Sequence, residues 1–135
     1  MNLFEYQAKA AFRECGIATP KGVLIRSADE LESACAETGF PCVLKSQVLR
    51  GGRGKAGLIK VVKDMAEAKR TAGDLFQSKH NVRMLLVEEA VDIAREIYLS
   101  ITVTPSRAQR SSWAAPKAAW TSRRSTKTAS VSFME

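Results

Sequence analysis

The chain has 135 residues, 45% apolar and 26% charged, enough for one modest domain with a real core. No apolar run approaches the roughly 18 residues of a membrane span. The opening "MNLFEYQAKAAFREC" also lacks the basic start and apolar block of a secretory leader. The formal charge of +7 is unevenly placed: residues 1–96 hold 15 basic and 13 acidic side chains, residues 97–135 hold six and one. That distribution weakens a nucleic-acid reading of the main body. Three cysteines (Cys15, Cys35 and Cys42) cannot all pair within the chain and have no CxxC spacing. They read as reduced thiols of a cytoplasmic protein. The one histidine, His80, lies in a polar turn, so neither a zinc site nor any other metal site is expected.

Taken in order, "LFEYQAKAAFREC" places Leu3, Phe4, Ala8, Ala11, Phe12 and Cys15 on one side of a helix that stops at Gly16. "GVLIR" is a short strand. "SADELESACAETG" opens with Ser27 and Glu30 at capping-box spacing and ends at Gly39. "CVLKSQV" and "LIKVV" are strand-like and flank a glycine-rich loop. "DMAEAKRTAGDLFQ" repeats the capping signal with Asp64 and Glu67, and "RMLLVEE" and "REIYLSITV" add two strands. In the last of these, Arg95, Ile97, Leu99, Ile101 and Val103 alternate with Glu96, Tyr98, Ser100 and Thr102. The pattern predicts an α+β fold: a mixed sheet with helices on one face and the other face free to line a cleft.

Gly52-Arg53-Gly54-Lys55-Ala56-Gly57 reads as GxGxxG, the dinucleotide fingerprint. Its context is wrong, because that fingerprint needs a helix opening from the loop and here a strand follows. A Walker loop is excluded too, since Lys55 is followed by alanine. Strand, glycine loop, strand describes a flexible hairpin instead. Gly51, Gly52, Gly54 and Gly57 let backbone N–H groups approach an anion, and Arg50, Arg53 and Lys55 add charge. Lys45, in the preceding strand among apolar neighbours, requires an anionic partner. The residues alone also allow a solvated surface turn with Lys45 pointing outward.

The blocks "MNLFEYQAKAAFRECGIATPKG", "VLKSQVLRGGRGKAGLIKVV" and "LLVEEAVDIAREIYLSITV" resemble the start of the succinyl-CoA synthetase (succinate–CoA ligase) beta subunit, an ATP-grasp protein. Malate–CoA ligase and ATP-citrate lyase share these features. The resemblance implies that residues 1–103 are part of an ATP-grasp domain and bind ATP. By it, Lys45 contacts the phosphates, Gly52, Arg53 and Gly54 form a flap over them, Glu88 and Val91 line the hinge beside adenine and ribose, and Glu96 is a second nucleotide-binding carboxylate. It further implies Mg2+, whose ligands would lie in absent segments, and a heteromer with a CoA-ligase alpha subunit carrying the histidine that is phosphorylated. The complete enzyme would join a carboxylate to CoA with ATP, giving ADP and phosphate; this chain is expected to be a truncated part, inactive alone, with no catalytic residue of its own. One departure is Leu49-Arg50, where the family usually has His-Ala. Two other readings are a small basic nucleic-acid-binding protein, motivated by the basic tail and glycine–arginine loop, and a non-catalytic protein docking on an alpha subunit.

Residues 104–135 differ in texture: "TPSRAQRSSWAAPKAAWTSRRSTKTAS" is rich in Ser, Ala and Arg, with no acid and no sustained period. Two tryptophans and scattered alanines cannot offset ordering costs of about 1–2 kcal/mol per residue, which predicts an irregular, disordered tail. A shifted reading frame explains the composition. The family typically continues with text such as "MASPEGGMDIEEI". Codons ATG GAC ATC GAG GAG ATC, read one base late, give Trp-Thr-Ser-Arg-Arg-Ser, the sequence of residues 120–125. The preceding Glu-Gly-Gly yields Pro-Lys-Ala-Ala in the same way, matching residues 116–119. Sequencing the coding DNA across residues 104–125 is expected to restore a family-like reading after a one-base shift. If no such shift does so, the explanation fails.

Overall fold

A computed structural model describes residues 2–104 and 109–116. The chain divides into two compact units, Met1–Val91 and Asp92–Glu135. In the first, the elements run α1 (Glu5–Glu14), β1 (Gly22–Ile25), one 3-10 turn (Ala28–Glu30), α2 (Leu31–Thr38), β2 (Cys42–Ser46), β3 (Ile59–Val62), α3 (Met65–Phe76) and β4 (Leu85–Glu89). Each follows from its local pattern, and α3 starts as its capping signal predicts. Asp64 accepts from the Glu67 N–H at 2.8 Å, and Glu67 reaches back to the Lys63 N–H at 2.9 Å. The signal at Ser27 is used differently. Glu30 accepts from the Arg26 N–H at 2.8 Å, and a 3-10 turn precedes α2.

The four strands form one sheet in the order β1-β4-β2-β3, and every pairing is antiparallel. A mixed sheet was expected. The difference arises because β4 inserts between β1 and β2, so strands that run the same way (β1 with β2, β3 with β4) are never neighbours. Leu44 in β2 faces Val87 in β4, and these residues meet Ile25, Leu31, Val62, Ala68, Ala72 and Leu75 in a core roofed by α2 and α3. Cys35 and Cys42 lie in that core with their Sγ atoms 4.0 Å apart, and burial pushes the Cys42 thiol up to about 12.

Helix α1 departs from its expected orientation. It buries no residue fully, and Phe12, on its apolar side, is 48% exposed. Its other side, with Glu5 and Lys9, turns toward the strands, because charged partners await it there.

In the second unit, β5 (Ile97–Thr104) pairs antiparallel with β6 (Gln109–Pro116), in register from Ile97↔Pro116 to Thr104↔Gln109. The described part of the expected irregular tail is therefore a strand. An open edge of β5 supplies backbone partners whatever the side chains are, which a reading by side-chain period cannot detect. The rest of the tail lies outside the described residues. Ile97 and Leu99 are 64% and 65% exposed. Among the described residues no helix is long and apolar enough to cross a membrane. Leu44→Ala should destabilise the first unit by about 2–5 kcal/mol, read from the midpoint of a urea unfolding curve.

Candidate functional site

The sheet face opposite α2 and α3 carries the charge. Strand β2 alternates, so Cys42, Leu44 and Ser46 face the core while Val43 and Lys45 face the other way. In the register Val43 opposes Glu88 and Lys45 opposes Leu86, making Lys45 and Glu88 diagonal neighbours. Their side chains are only 18% and 3% exposed. A charge this buried must be paired, and each is. The Lys45 ammonium donates to Glu88 Oε1, and the Lys9 ammonium of α1 donates to Glu88 Oε2.

A second carboxylate, Glu5, sits over the same cations. Its Oε1 lies 3.2 Å from Lys9 Nζ and 3.4 Å from Lys45 Nζ, and its Oε2 accepts from Arg53 Nη2 at 2.6 Å. Three cations and two carboxylates thus converge from α1, β2, β4 and the glycine loop. Gln47, 3% exposed, holds the helix end in place. Its Oε1 accepts from the Tyr6 N–H at 3.2 Å, and its Nε2 donates to the Lys45 carbonyl at 3.0 Å. Glu5 in the first turn of α1 also lies at the favourable end of the helix dipole.

The loop between β2 and β3 is wound rather than splayed. Ala56 N–H donates to Gly52 O, and Leu58 N–H to Arg53 O, at 3.0 and 2.9 Å. Gly52 and Gly57 both have φ of 72°, a region that side-chain-bearing residues avoid. Leu58 is buried and anchors the returning chain. Arg53 points back from this turn, donating from Nη1 to the Ser46 carbonyl at 3.0 Å as well as from Nη2 to Glu5.

Two cavities border the cluster. One of about 450 Å³ is lined by Asn2, Leu3, Glu5, Val48, Leu49, Arg50, Gly51 and Arg53. A smaller one, about 120 Å³, runs along the helix to Glu88, walled by Tyr6, Lys9, Pro20, Gly22, Leu24 and Leu86 among others. Gly22 keeps this second space open, since a Cβ there would come within 3.2 Å of Leu86 Cδ1 and 3.3 Å of the Val87 carbonyl.

Of the residues marked in the sequence, the structure brings Lys45, Arg53 and Glu88 together, with Gly52 and Gly54 in the turn that carries Arg53. Val91 is exposed at the end of the first unit. Glu96 belongs to the second unit, just before β5. Glu5, Lys9 and Gln47 were not anticipated. Glu5 and Lys9 stand four apart on α1, an ion-pair spacing visible in the sequence. The apolar residues on the opposite side of that helix carry the stronger periodic signal. Arg50 contacts His80, Nη1 to Nδ1 at 3.2 Å, outside the cluster.

An antiparallel sheet backed by helices, with a glycine turn whose Arg53 joins a paired charge cluster on the sheet's other face, defines an α+β lobe. The family model for an ATP-grasp domain matches residues 2–113, and the chain belongs to that family. It is 78% identical over 105 residues to the ADP-forming sulfoacetate-CoA ligase subunit SauC of Bilophila wadsworthia, covering 78% of this chain and 28% of that protein. It is 46% identical over 106 residues to the ADP-forming succinate–CoA ligase subunit beta of Ignicoccus hospitalis, covering 76% of this chain and 28% of that protein. The chain therefore spans little more than a quarter of these relatives' length. Among solved structures, the dinucleotide-forming acetyl-coenzyme A synthetase 1 of Ca. Korarchaeum cryptofilum shares the fold, with a TM-score of 0.75 at 20% identity over 85% of this chain and 53% of that one.

The cluster sets two pH limits. Burial alone would raise the Glu5 carboxyl, but Lys45, Arg53 and Lys9 outweigh it and hold the group below its ordinary 4.5. Burial alone would lower Lys45, but the hydrogen bond to Glu88 and the charge of Glu5 hold it above 10.5. A depressed carboxyl stabilises the fold above its unfolded value, and a raised amine stabilises it below its own. Unfolding free energy should fall as pH drops below 4.5 and again as it rises above 10.5. Urea titrations across pH should show both slopes, the acid one flattened in Glu5→Gln.

Proposed function

We propose that the chain is the nucleotide-binding part of the beta subunit of an ADP-forming acid–CoA ligase. Convergence of Lys45 and Arg53 on one carboxylate, beneath a glycine turn, carries this reading. Cations gathered by a single anion can gather on phosphate oxygens, and a guanidinium suits them best. Gly52 and Gly54 keep the turn slim enough to lie over the phosphates. The cavity ending at Glu88 offers apolar walls from Leu24 and Leu86 for a base, with the carboxylate at its end. Val91 and Glu96 are proposed as nucleotide contacts on the family resemblance alone.

In the whole enzyme this lobe would hold ATP while a carboxylate is joined to CoA, releasing ADP and phosphate. The identities of 78% and 46% to a sulfoacetate- and a succinate–CoA ligase subunit favour sulfoacetate over succinate as the acid. An alpha subunit would be the partner, and the reduced thiols suit a cytoplasmic setting. Among the described residues no group of three or more His, Cys, Asp and Glu is placed to hold a metal ion. We assign none of these residues to the family's Mg2+, and the phosphate contacts proposed for them are those of their own cations. The nucleic-acid reading has less support, since Lys9, Lys45 and Arg53 turn inward onto carboxylates rather than outward along a groove.

Titration calorimetry of the 135-residue chain with ATP tests the reading. Arg53→Ala should weaken binding by at least about tenfold, or 1.4 kcal/mol, whereas Lys69→Ala, on the far side of the sheet, should leave it unchanged. Equal affinities for the chain and Arg53→Ala would sink the assignment.

A further inference from the structure

The cations proposed to bind phosphate are already occupied. Glu5 accepts from Arg53 and lies against Lys9 and Lys45, so one carboxylate spans the phosphate-facing groups of helix, strand and flap. Arg53 already donates from Nη1 to the Ser46 carbonyl and from Nη2 to Glu5. Glu5 also lines the wall of the 450 Å³ cavity beside the flap, together with Arg53 and Arg50. An anion entering there meets Glu5 on the same nitrogens it would need.

We infer that Glu5 is a resident counter-anion, holding the flap arginine and the strand lysine in place of phosphate and exchanging with the polyphosphate when it binds. The inference rests on the nucleotide reading above and adds a residue that sets the site's selectivity. Lys9, Lys45 and Arg53 already carry two carboxylates, and a polyphosphate would bring enough further negative charge to outnumber these three cations, so a resident carboxylate is displaced. Glu5 can leave at little structural cost. It is in the first turn of α1, and Gln47 and the Gln7 side chain hold that turn through the Tyr6 and Phe4 N–H groups, independently of the Glu5 carboxylate. Glu88 cannot, because it is 3% exposed and locked between Lys9 and Lys45. The exchange filters ligands by charge. A single anionic group only replaces what an intramolecular carboxylate already supplies, whereas a polyphosphate brings several charges to the same nitrogens. Glu5 keeps the flap docked and offsets the charge of both lysines.

Inorganic tripolyphosphate, which has no base or sugar, is the probe. By calorimetry at neutral pH, Glu5→Gln should bind it about tenfold more tightly than the unaltered chain, with a smaller gain for orthophosphate. Unchanged or weaker binding by Glu5→Gln, when the unaltered chain binds, overturns the exchange and leaves the phosphate reading standing. No binding by either chain overturns both. A second measurement needs no variant: carboxyl NMR of the unaltered chain. Saturating tripolyphosphate should move the Glu5 titration up toward that of a free glutamate, because its cations are lost. A Glu5 carboxyl that tripolyphosphate leaves unmoved rules the exchange out.

Discussion

The diagonal pair of Lys45 and Glu88 is the constraint from which the site is built. A lysine and a glutamate on neighbouring strands, both withdrawn from water, would be costly if either stood alone. Their pairing leaves the ammonium and one carboxylate oxygen, Glu88 Oε2, under-satisfied, and α1 completes them with Glu5 and Lys9. The helix docks by its charged side for this reason, leaving Phe12 half exposed. Ion pairs therefore decide a packing that apolar periodicity assigns the other way.

The glycine turn is tied to the same cluster at its far end. Backbone hydrogen bonds from Ala56 and Leu58 close it, Leu58 seats it in the core, and Arg53 returns to Glu5 and the Ser46 carbonyl. A hairpin with four glycines would be loose if its tip had no anchor. One arginine supplies that anchor, and it is the side chain a phosphate would compete for. On the proposed reading, holding the flap and binding phosphate would draw on one set of nitrogens.

Much of this was legible beforehand. The strand–loop–strand setting separates the flap from a dinucleotide turn, and the buried position of Lys45 demands an acid. Which acid was not legible. Glu88 ends an apolar strand and could have been a solvated terminus, and the partner was identified only when β4 inserted beside β2. Glu5 and Lys9 were readable as an i,i+4 pair yet looked like a solvated helix face. Strand β6 was unreadable because backbone pairing with β5 leaves no mark in side-chain period.

By itself the sequence determined the helices and strands of the first unit, their order and the glycine turn, since these depend on periodicity, caps and backbone freedom within a few residues. It also determined family membership, through three long ordered blocks. The tertiary structure alone decided which way α1 faces, which carboxylates meet Lys45, and that Arg53 is already bound. Those outcomes depend on groups 40 or more positions apart, as with Glu5 to Lys45 and Lys9 to Glu88. Strand insertion sets such distances, and no local pattern encodes them.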